Sequence, residues 1–335
     1  MKRVAVIGCG AIADSFHLPA LTAALGASGQ VVLVDPDEGR ARALAAAHGV
    51  SETARSHEDV MAGLDGAIIA SPHHTHAPIA TSLIEAGVPV LCEKPLGTTV
   101  DEVEKLRDLA AAKGVTLAVN QTRRFIPAAQ EIGRILASGE LGWPVTVKAN
   151  EGDKFDWPAA TPSMFGARSG GRGLLLDIGA HVFDLMVSWF GSELEVTEYQ
   201  DDSFGGSEAS LFAGLQGARC TIDIRLSWLA KQRNEYVFTG PEGTARWGVY
   251  DLDTVTLEDP GGRRTTRRLP SPRAYTDLAP LVLDDFFSAV AEQRDPVAGA
   301  GAVLPSMRLM EACYERRSRF DLPWHTFRME APRVG

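Results

Sequence analysis

Val4-Ala5-Val6-Ile7-Gly8-Cys9-Gly10-Ala11-Ile12-Ala13 is the stretch whose reading decides the fold. Val4-Ala5-Val6-Ile7 is an unbroken apolar run of strand length, the pattern of a strand buried on both faces of a parallel sheet. The six residues that follow fit G-x-G-x-x-A. In that motif the first glycine permits a tight turn, the second lets the backbone approach a pyrophosphate, and the small third residue lets helix and strand close. A helix starting behind such a turn offers unpaired N–H groups and partial positive charge to the anion. Alone the motif is weak, so its surroundings decide.

Outward from it, further apolar runs at residues 31–34, 67–70, 88–92 and 115–119 alternate with helical stretches at 37–48, 77–86 and 100–113. Gly87 and Gly114 stand where helix C-caps are expected. Alternating strands and helices of this length predict a doubly wound parallel sheet with right-handed crossovers. The second strand ends at Asp35, whose carboxylate can accept hydrogen bonds from an adenosine ribose and would repel a 2′-phosphate. Arg40 and Arg42 lie further on, in the next helix, so NAD is favoured over NADP.

After about residue 120 the pattern changes. A helix at 127–138 leads to a strand near 145–149, an irregular stretch at 151–173 and a strongly apolar helix at 174–190. Residues 194–270 read as successive strands broken by Gly205-Gly206, Gly240-Pro241-Glu242-Gly243 and Pro260-Gly261-Gly262. Helices at 278–293 and 303–317 close the pattern and are expected to pack back on the first domain. The fold class is therefore α/β. An N-terminal Rossmann domain spans 1–120, and an α+β domain with an open, mostly antiparallel sheet spans 121–335.

The 335 residues suit two domains, and the formal net charge of −10 argues against a nucleic-acid binder, which needs a basic face. Arg263, Arg264, Arg267 and Arg268 follow a Pro-Gly-Gly turn and read as a solvated hairpin. No apolar run approaches the roughly 20 residues that cross a bilayer. Four scattered cysteines show neither metal-ligand spacing nor a disulfide framework, so reduced cysteines, no metal and a cytoplasmic location are expected.

Asp177, His181, Asp184 and Ser188 form one polar stripe on the otherwise apolar helix at 174–190. A solvated face and a functional face both fit the stripe by itself. Histidine suits proton transfer from a hydroxyl because its ordinary pKa, about 6.5, lies near neutral pH. Lys94 falls at a strand's carboxyl end, where open α/β sheets place ligands.

Glu93-Lys94-Pro95-Leu96-Gly97 resembles the E-K-P signature of the Gfo/Idh/MocA oxidoreductase family. His17-Leu18-Pro19-Ala20-Leu21, Ser71-Pro72-His73-His74-Thr75-His76 and Asp177-Ile178-Gly179-Ala180-His181 agree with it in order and spacing, so the resemblance covers nearly the whole chain. It implies an NAD-dependent dehydrogenase or reductase acting on a small polyhydroxylated substrate such as a sugar or cyclitol. The C-terminal sheet would mediate contacts in a homo-oligomer, a dimer or tetramer. Two alternatives share the fold: a glycosidase or lyase that uses tightly held NAD transiently, and a non-catalytic ligand sensor.

On this resemblance the cofactor is expected against Gly8, Gly10, Ala11, Ile12 and Asp35 on one side. Ser71, Pro72, His73, His76, Glu93 and Lys94 are expected on the other, with His74 on the loop surface. Lys94, Arg124, Trp157, Asp177 and His181 are expected to face the substrate. His181 would act as acid/base and Lys94 as the partner of the reacting oxygen, while Asp177 would either fix the orientation of His181 or bind a substrate hydroxyl directly. One departure stands out: the family's usual triple glycine reads Gly170-Gly171-Arg172-Gly173, so Arg172 either intrudes on the pocket or points outward.

Overall fold

A computed structural model describes residues 1–156, 158, 172–203 and 206–321. Six parallel strands, β1 (Arg3–Ile7), β2 (Gln30–Val34), β3 (Glu52–Ala54), β4 (Gly66–Ile69), β5 (Val90–Cys92) and β6 (Leu117–Val119), form a sheet in the order β3-β2-β1-β4-β5-β6. The order reverses at β1, whose Val6 stands opposite Leu33 on one side and Ile68 on the other. The crevice beyond the carboxyl ends of β1 and β4 is therefore the switch point at which such sheets bind ligands. β4, β5 and β6, with Val4–Ile7 of β1 and Val32–Val34 of β2, are apolar and buried because both faces of the sheet are covered there. β3 escaped the sequence reading, since Glu52-Thr53-Ala54 is short and only partly buried.

The covering helices are α1 (Leu18–Leu25), α2 (Glu38–His48), α3 (His73–Glu85) and α4 (Val100–Lys113). Asp37 and Thr99 cap α2 and α4 by accepting from the backbone N–H of Arg40 and Glu102, and left-handed Gly49 and Gly114 end them. α3 starts earlier than expected, at His73 directly after Pro72. Pro78 inside its early turns and a run of histidines disguise that start.

The rest of the chain builds a nine-stranded sheet from β7 (Val145–Gly152), β8 (Glu195–Asp201), β9 (Ser210–Gly217), β10 (Cys220–Ser227), β11 (Glu235–Gly240), β12 (Gly243–Gly248), β13 (Thr254–Glu258), β14 (Arg264–Arg268) and β15 (Ser318–Arg319). All neighbouring strands run antiparallel except the β7–β10 and β8–β15 pairs. Helices α5 (Pro127–Ala137), α6 (Ala180–Phe190) and α8 (Ala300–Glu315) contribute to the core beneath this sheet. There Trp189 of α6 meets the rings of Phe238 at 5.3 Å and Trp247 at 6.0 Å, both edge-on.

The closing helices do pack back. α7 (Ala279–Glu292) adds Ala279, Val282, Leu283 and Phe286 to the core cluster under α1, and Arg308 of α8 pairs with Glu104 of α4 at 2.7 Å. The arginine-rich hairpin β13–β14 is tied down by ion pairs, Arg264 to Glu258 at 2.8 Å and Arg267 to Glu131 at 2.8 Å. All four cysteines are free thiols and buried. Among the described residues no helix is long and apolar enough to cross a membrane.

Candidate active site

A cavity of about 490 Å³ runs from the glycine turn after β1, past the carboxyl end of β5, to β7, β10 and the segment that leads into α6. Gly8 has φ +100°, and a Cβ on it would lie 2.5 Å from the Ala70 carbonyl oxygen, so only glycine fits where β1 and β4 converge. A Cβ on Gly10 would meet nothing within 4 Å, and that openness faces the cavity. Ala11 and Ile12 line the same wall, and Ala13 is buried beneath it. This is an unobstructed cradle at a helix start, of the kind a pyrophosphate requires.

Asp35 is buried at the neighbouring strand end. Its Oδ2 accepts from the Cys9 N–H at 2.9 Å and its Oδ1 from the Asp37 N–H at 2.9 Å, so the carboxylate braces the glycine turn while facing the cavity. Burial and then the charge of Asp35 push the Cys9 thiol up to about 12. From its place in the sequence Arg40 is expected further on, in α2. The first turn of that helix instead returns its guanidinium to 3.4 Å from Asp35, on the cavity wall.

Across the cavity lie Ser71, Pro72 and His73, together with His74, which is half-buried there rather than a plain surface residue. Burial, followed by the charge of Lys94, brings the His73 imidazole down to about 3. His76 is a correction. It is wholly buried, and its ring nitrogens lie 2.7 Å from the Pro95 and Ser71 carbonyl oxygens. It ties the loop after β4 to the cis Lys94–Pro95 turn and does not reach the cavity. Glu93 accepts from Asn120 Nδ2 at 2.7 Å and pairs with His17 Nε2 at 2.7 Å. Burial alone would raise its carboxyl, but His17 and Asn120 hold it below the ordinary range.

At the inner end the Lys94 ammonium makes an ion pair with the Asp177 carboxylate and lies 3.3 Å from the Asp177 carbonyl oxygen. Burial would raise Asp177, and the charge of Lys94 outweighs it, keeping the carboxyl low. Asp177 sits in a wide, π-type turn, Leu175–Gly179, that precedes α6, where the sequence suggested one uniform helix. One turn on, His181 Nδ1 lies 3.2 Å from Gln121 Oε1. The Gln121 amide donates from Nε2 to the Ala180 carbonyl at 3.2 Å, an orientation that gives Nδ1 the hydrogen and leaves Nε2 as acceptor. Burial, then the charges of Lys94 and Arg123, push His181 well below the ordinary imidazole value, so it is neutral at pH 7.

Arg124 is the second correction. Its guanidinium forks onto the Asp184 carboxylate with both bonds at 2.8 Å, and donates at 2.9 Å to the Val297 carbonyl, away from the cavity. That pairing splits the polar stripe. Asp177 and His181 face the cavity, Asp184 is buried against Arg124, and Ser188 donates to its own helix at Leu185. Trp157 lies outside the described residues. The wall nearby holds Phe155 and Trp228, rings 5.2 Å apart and edge-on.

A buried cluster behind the cavity wall escapes the sequence reading, and of its members only Glu151 lines the cavity. Arg123 Nη1 donates to Glu151 Oε2 at 2.8 Å, the Tyr236 hydroxyl donates to the same oxygen at 3.1 Å, and all three residues are buried. The run Arg123-Arg124-Phe125 is a usable signal, but it does not say which of its two adjacent arginines points inward.

Residues 2–121 match the oxidoreductase family described as Gfo/Idh/MocA with an NAD-binding Rossmann fold, and residues 129–246 match that family's C-terminal domain. Inositol 2-dehydrogenase 1 of Saccharopolyspora erythraea is 38% identical over 151 residues, 43% of this chain and 44% of that protein. An uncharacterized oxidoreductase of Rhizobium meliloti, ORF334, is 32% identical over 236 residues, 68% of this chain and 70% of that protein. The first curated relatives are matched over 39% to 55% of their length. A levoglucosan dehydrogenase solved with NADH and levoglucosan shares the fold with a TM-score of 0.82 at 20% identity, over 94% of this chain and 96% of that one. With both family domains matched in order around one cleft, the chain belongs to the Gfo/Idh/MocA family of oxidoreductases.

Proposed function

We propose that this protein is an NAD-dependent dehydrogenase or reductase acting on a secondary alcohol or ketone of a sugar, sugar derivative or cyclitol. The observation that carries the reading is the meeting of Lys94, Asp177 and His181 at the inner end of a cavity whose other end is the glycine cradle. NAD bound along that cradle supplies the hydride acceptor. The chain's own part is proton and charge management. Lys94 donates a hydrogen bond to the reacting oxygen and stabilises alkoxide charge as it develops. The neutral His181 takes the hydroxyl proton on Nε2, with Gln121 fixing its tautomer. Asp177 holds Lys94 in place.

These groups are costly to desolvate unless the ligand returns their hydrogen bonds, at about 1–3 kcal/mol for each one left unpaired. Polyols should therefore be turned over far faster than simple alcohols. The test compares kcat/KM for inositols and sugars with those for 2-butanol and cyclohexanol, following stoichiometric NADH release. Simple alcohols that match the best polyol would remove the reading.

Asp35 should also make NAD bind at least tenfold tighter than NADP, because a 2′-phosphate would meet its carboxylate. Replacing it, Asp35→Ser, should narrow the gap twice over, by removing repulsion and by freeing Arg40. Titrations of both cofactors by fluorescence quenching measure this, and equal dissociation constants for the unaltered protein would refute it.

Residues 1–120 form the cofactor domain in this reading, and 121–335 the substrate and assembly domain. We infer a cytoplasmic homo-oligomer that meets through the nine-stranded sheet: the four free cysteines suit a reducing compartment, and the sheet face that carries Thr146, Lys148 and Thr221 is left uncovered by the chain's own helices. A monomeric mass in light scattering would remove the assembly element.

A further inference from the structure

Among the described residues, each buried or half-buried charge on the cavity wall has a charged or hydrogen-bonding partner in the protein, with one exception. Arg40 pairs with Asp35, Lys94 with Asp177, and Glu151 with Arg123, while Glu93 is bonded by His17 and Asn120. Arg172 is half-buried, lines the same cavity and makes no ion pair among the described residues. The adjoining stretch 157–171 supplies no carboxylate either, because it contains no Asp or Glu.

Nor is the guanidinium loosely placed. It lies 5.1 Å from the centre of the Tyr314 ring, whose hydroxyl donates to Glu208 Oε1 at 2.9 Å. The backbone beside it is pinned: Gly173 N–H donates to Glu208 Oε1 at 3.0 Å, and the Ser207 hydroxyl donates to the Arg172 carbonyl at 3.2 Å. A Cβ on Gly173 would fall 2.4 Å from the Glu208 carbonyl oxygen, so the chain cannot back away. The carboxylates of this cluster are already taken, since Arg317 binds both Asp201 and Glu208. Asp153, Lys154 and Asp156 also face the cavity, but they are exposed, where water screens them.

We propose that Arg172 is a specificity-determining residue that recognises an anionic substituent, carboxylate or phosphate, on the polyhydroxylated substrate. A guanidinium is planar, always charged and forked to match such a group with two hydrogen bonds. Stacking on Tyr314 pre-orders it and leaves its N–H edge for the ligand. The inference rests on the dehydrogenase reading, with the reacting hydroxyl at Lys94 and His181 and the anion at the Arg172 end of the same cavity.

The experiment compares a uronate with its parent hexose, and a hexose phosphate with the same hexose, in the unaltered protein, Arg172→Gln and Arg172→Lys. The ratio of kcat/KM for acid over neutral sugar should fall on the order of tenfold or more in Arg172→Gln and by less in Arg172→Lys, which keeps the charge but loses the fork. A dependence seen only with the uronate assigns carboxylate, and one seen only with the phosphate ester assigns phosphate. A parallel fall for acid and neutral sugar in Arg172→Gln means that Arg172 merely holds its loop, and overturns the inference. Calorimetric binding of the same acids to the NADH-loaded protein separates the two proposals. Arg172-dependent binding without turnover sinks the dehydrogenase reading alone, whereas turnover of sugars with no charge preference sinks only the role of Arg172.

Discussion

Lys94→Ala and His181→Ala should each lower turnover on the order of 10²-fold or more while leaving NAD affinity within a few-fold. Both side chains sit at the inner end of the cavity, away from the glycine turn and Asp35, so losing either leaves the cofactor cradle intact. Their roles predict different pH signatures as well. His181 is held well below the ordinary imidazole value by burial, then by Lys94 and Arg123, so it stays in its proton-accepting form down to acidic pH. The acidic limb of kcat/KM for alcohol oxidation should therefore lie below pH 6.5. Activity would be lost as pH falls through the folded-state pKa, not as it rises.

Lys94→Ala removes one of the positive charges that disfavour imidazolium. The residual activity should consequently show its acidic limb moved upward, toward the ordinary value, with burial keeping it lower. Stopped-flow or steady-state profiles from pH 4 to 9, with fluorescence titration of NAD as the folding control, measure both effects. An acidic limb above pH 7 in the unaltered protein, or near-normal turnover in His181→Ala, would take the proton-accepting role away from His181.

The Rossmann half was legible because its signals are local. Val4 to Ile7 is apolar on both faces, the turn needs glycine at residue 8, and Asp35 follows the second run immediately. What stayed hidden depends on pairings between residues far apart in sequence. Arg123 and Arg124 are chemically identical neighbours in one tight turn, Thr122–Phe125. That turn sends one guanidinium under the cavity to Glu151 and the other away from the cavity to the buried Asp184. No periodicity distinguishes them, and a helical-stripe argument wrongly grouped Asp184 with Asp177 and His181. His76 failed for a related reason: a motif shows which residue is present, not which side of the chain it faces. Arg40 was discounted by distance along the sequence, although the first turn of a helix brings such a residue back to the end of the preceding strand.

The buried pair missed in this way carries the second large effect. Glu151→Leu should destabilise the protein by about 3–5 kcal/mol, because it leaves Arg123 charged, buried and without its carboxylate. The side chains of Arg123 and Glu151 are only 9% and 5% exposed, and Tyr236 loses its acceptor as well. Burial alone would lower the Arg123 guanidinium, and Glu151 more than reverses this, so the partner is what lets a full charge remain there. Arg123 lies just after β6 and Glu151 in β7, so the pair also joins the parallel sheet to the nine-stranded one beneath the cavity.

Removing both charges should cost much less than removing one, since the double replacement Arg123→Leu with Glu151→Leu leaves no orphaned ion. Urea unfolding of the two single variants, the double variant and the parent closes that cycle. A coupling of several kcal/mol is expected, with the double variant more stable than Glu151→Leu alone. A Glu151→Leu protein within about 1 kcal/mol of the parent would mean that water or another group already shares the Arg123 charge, and the pair would lose its structural standing.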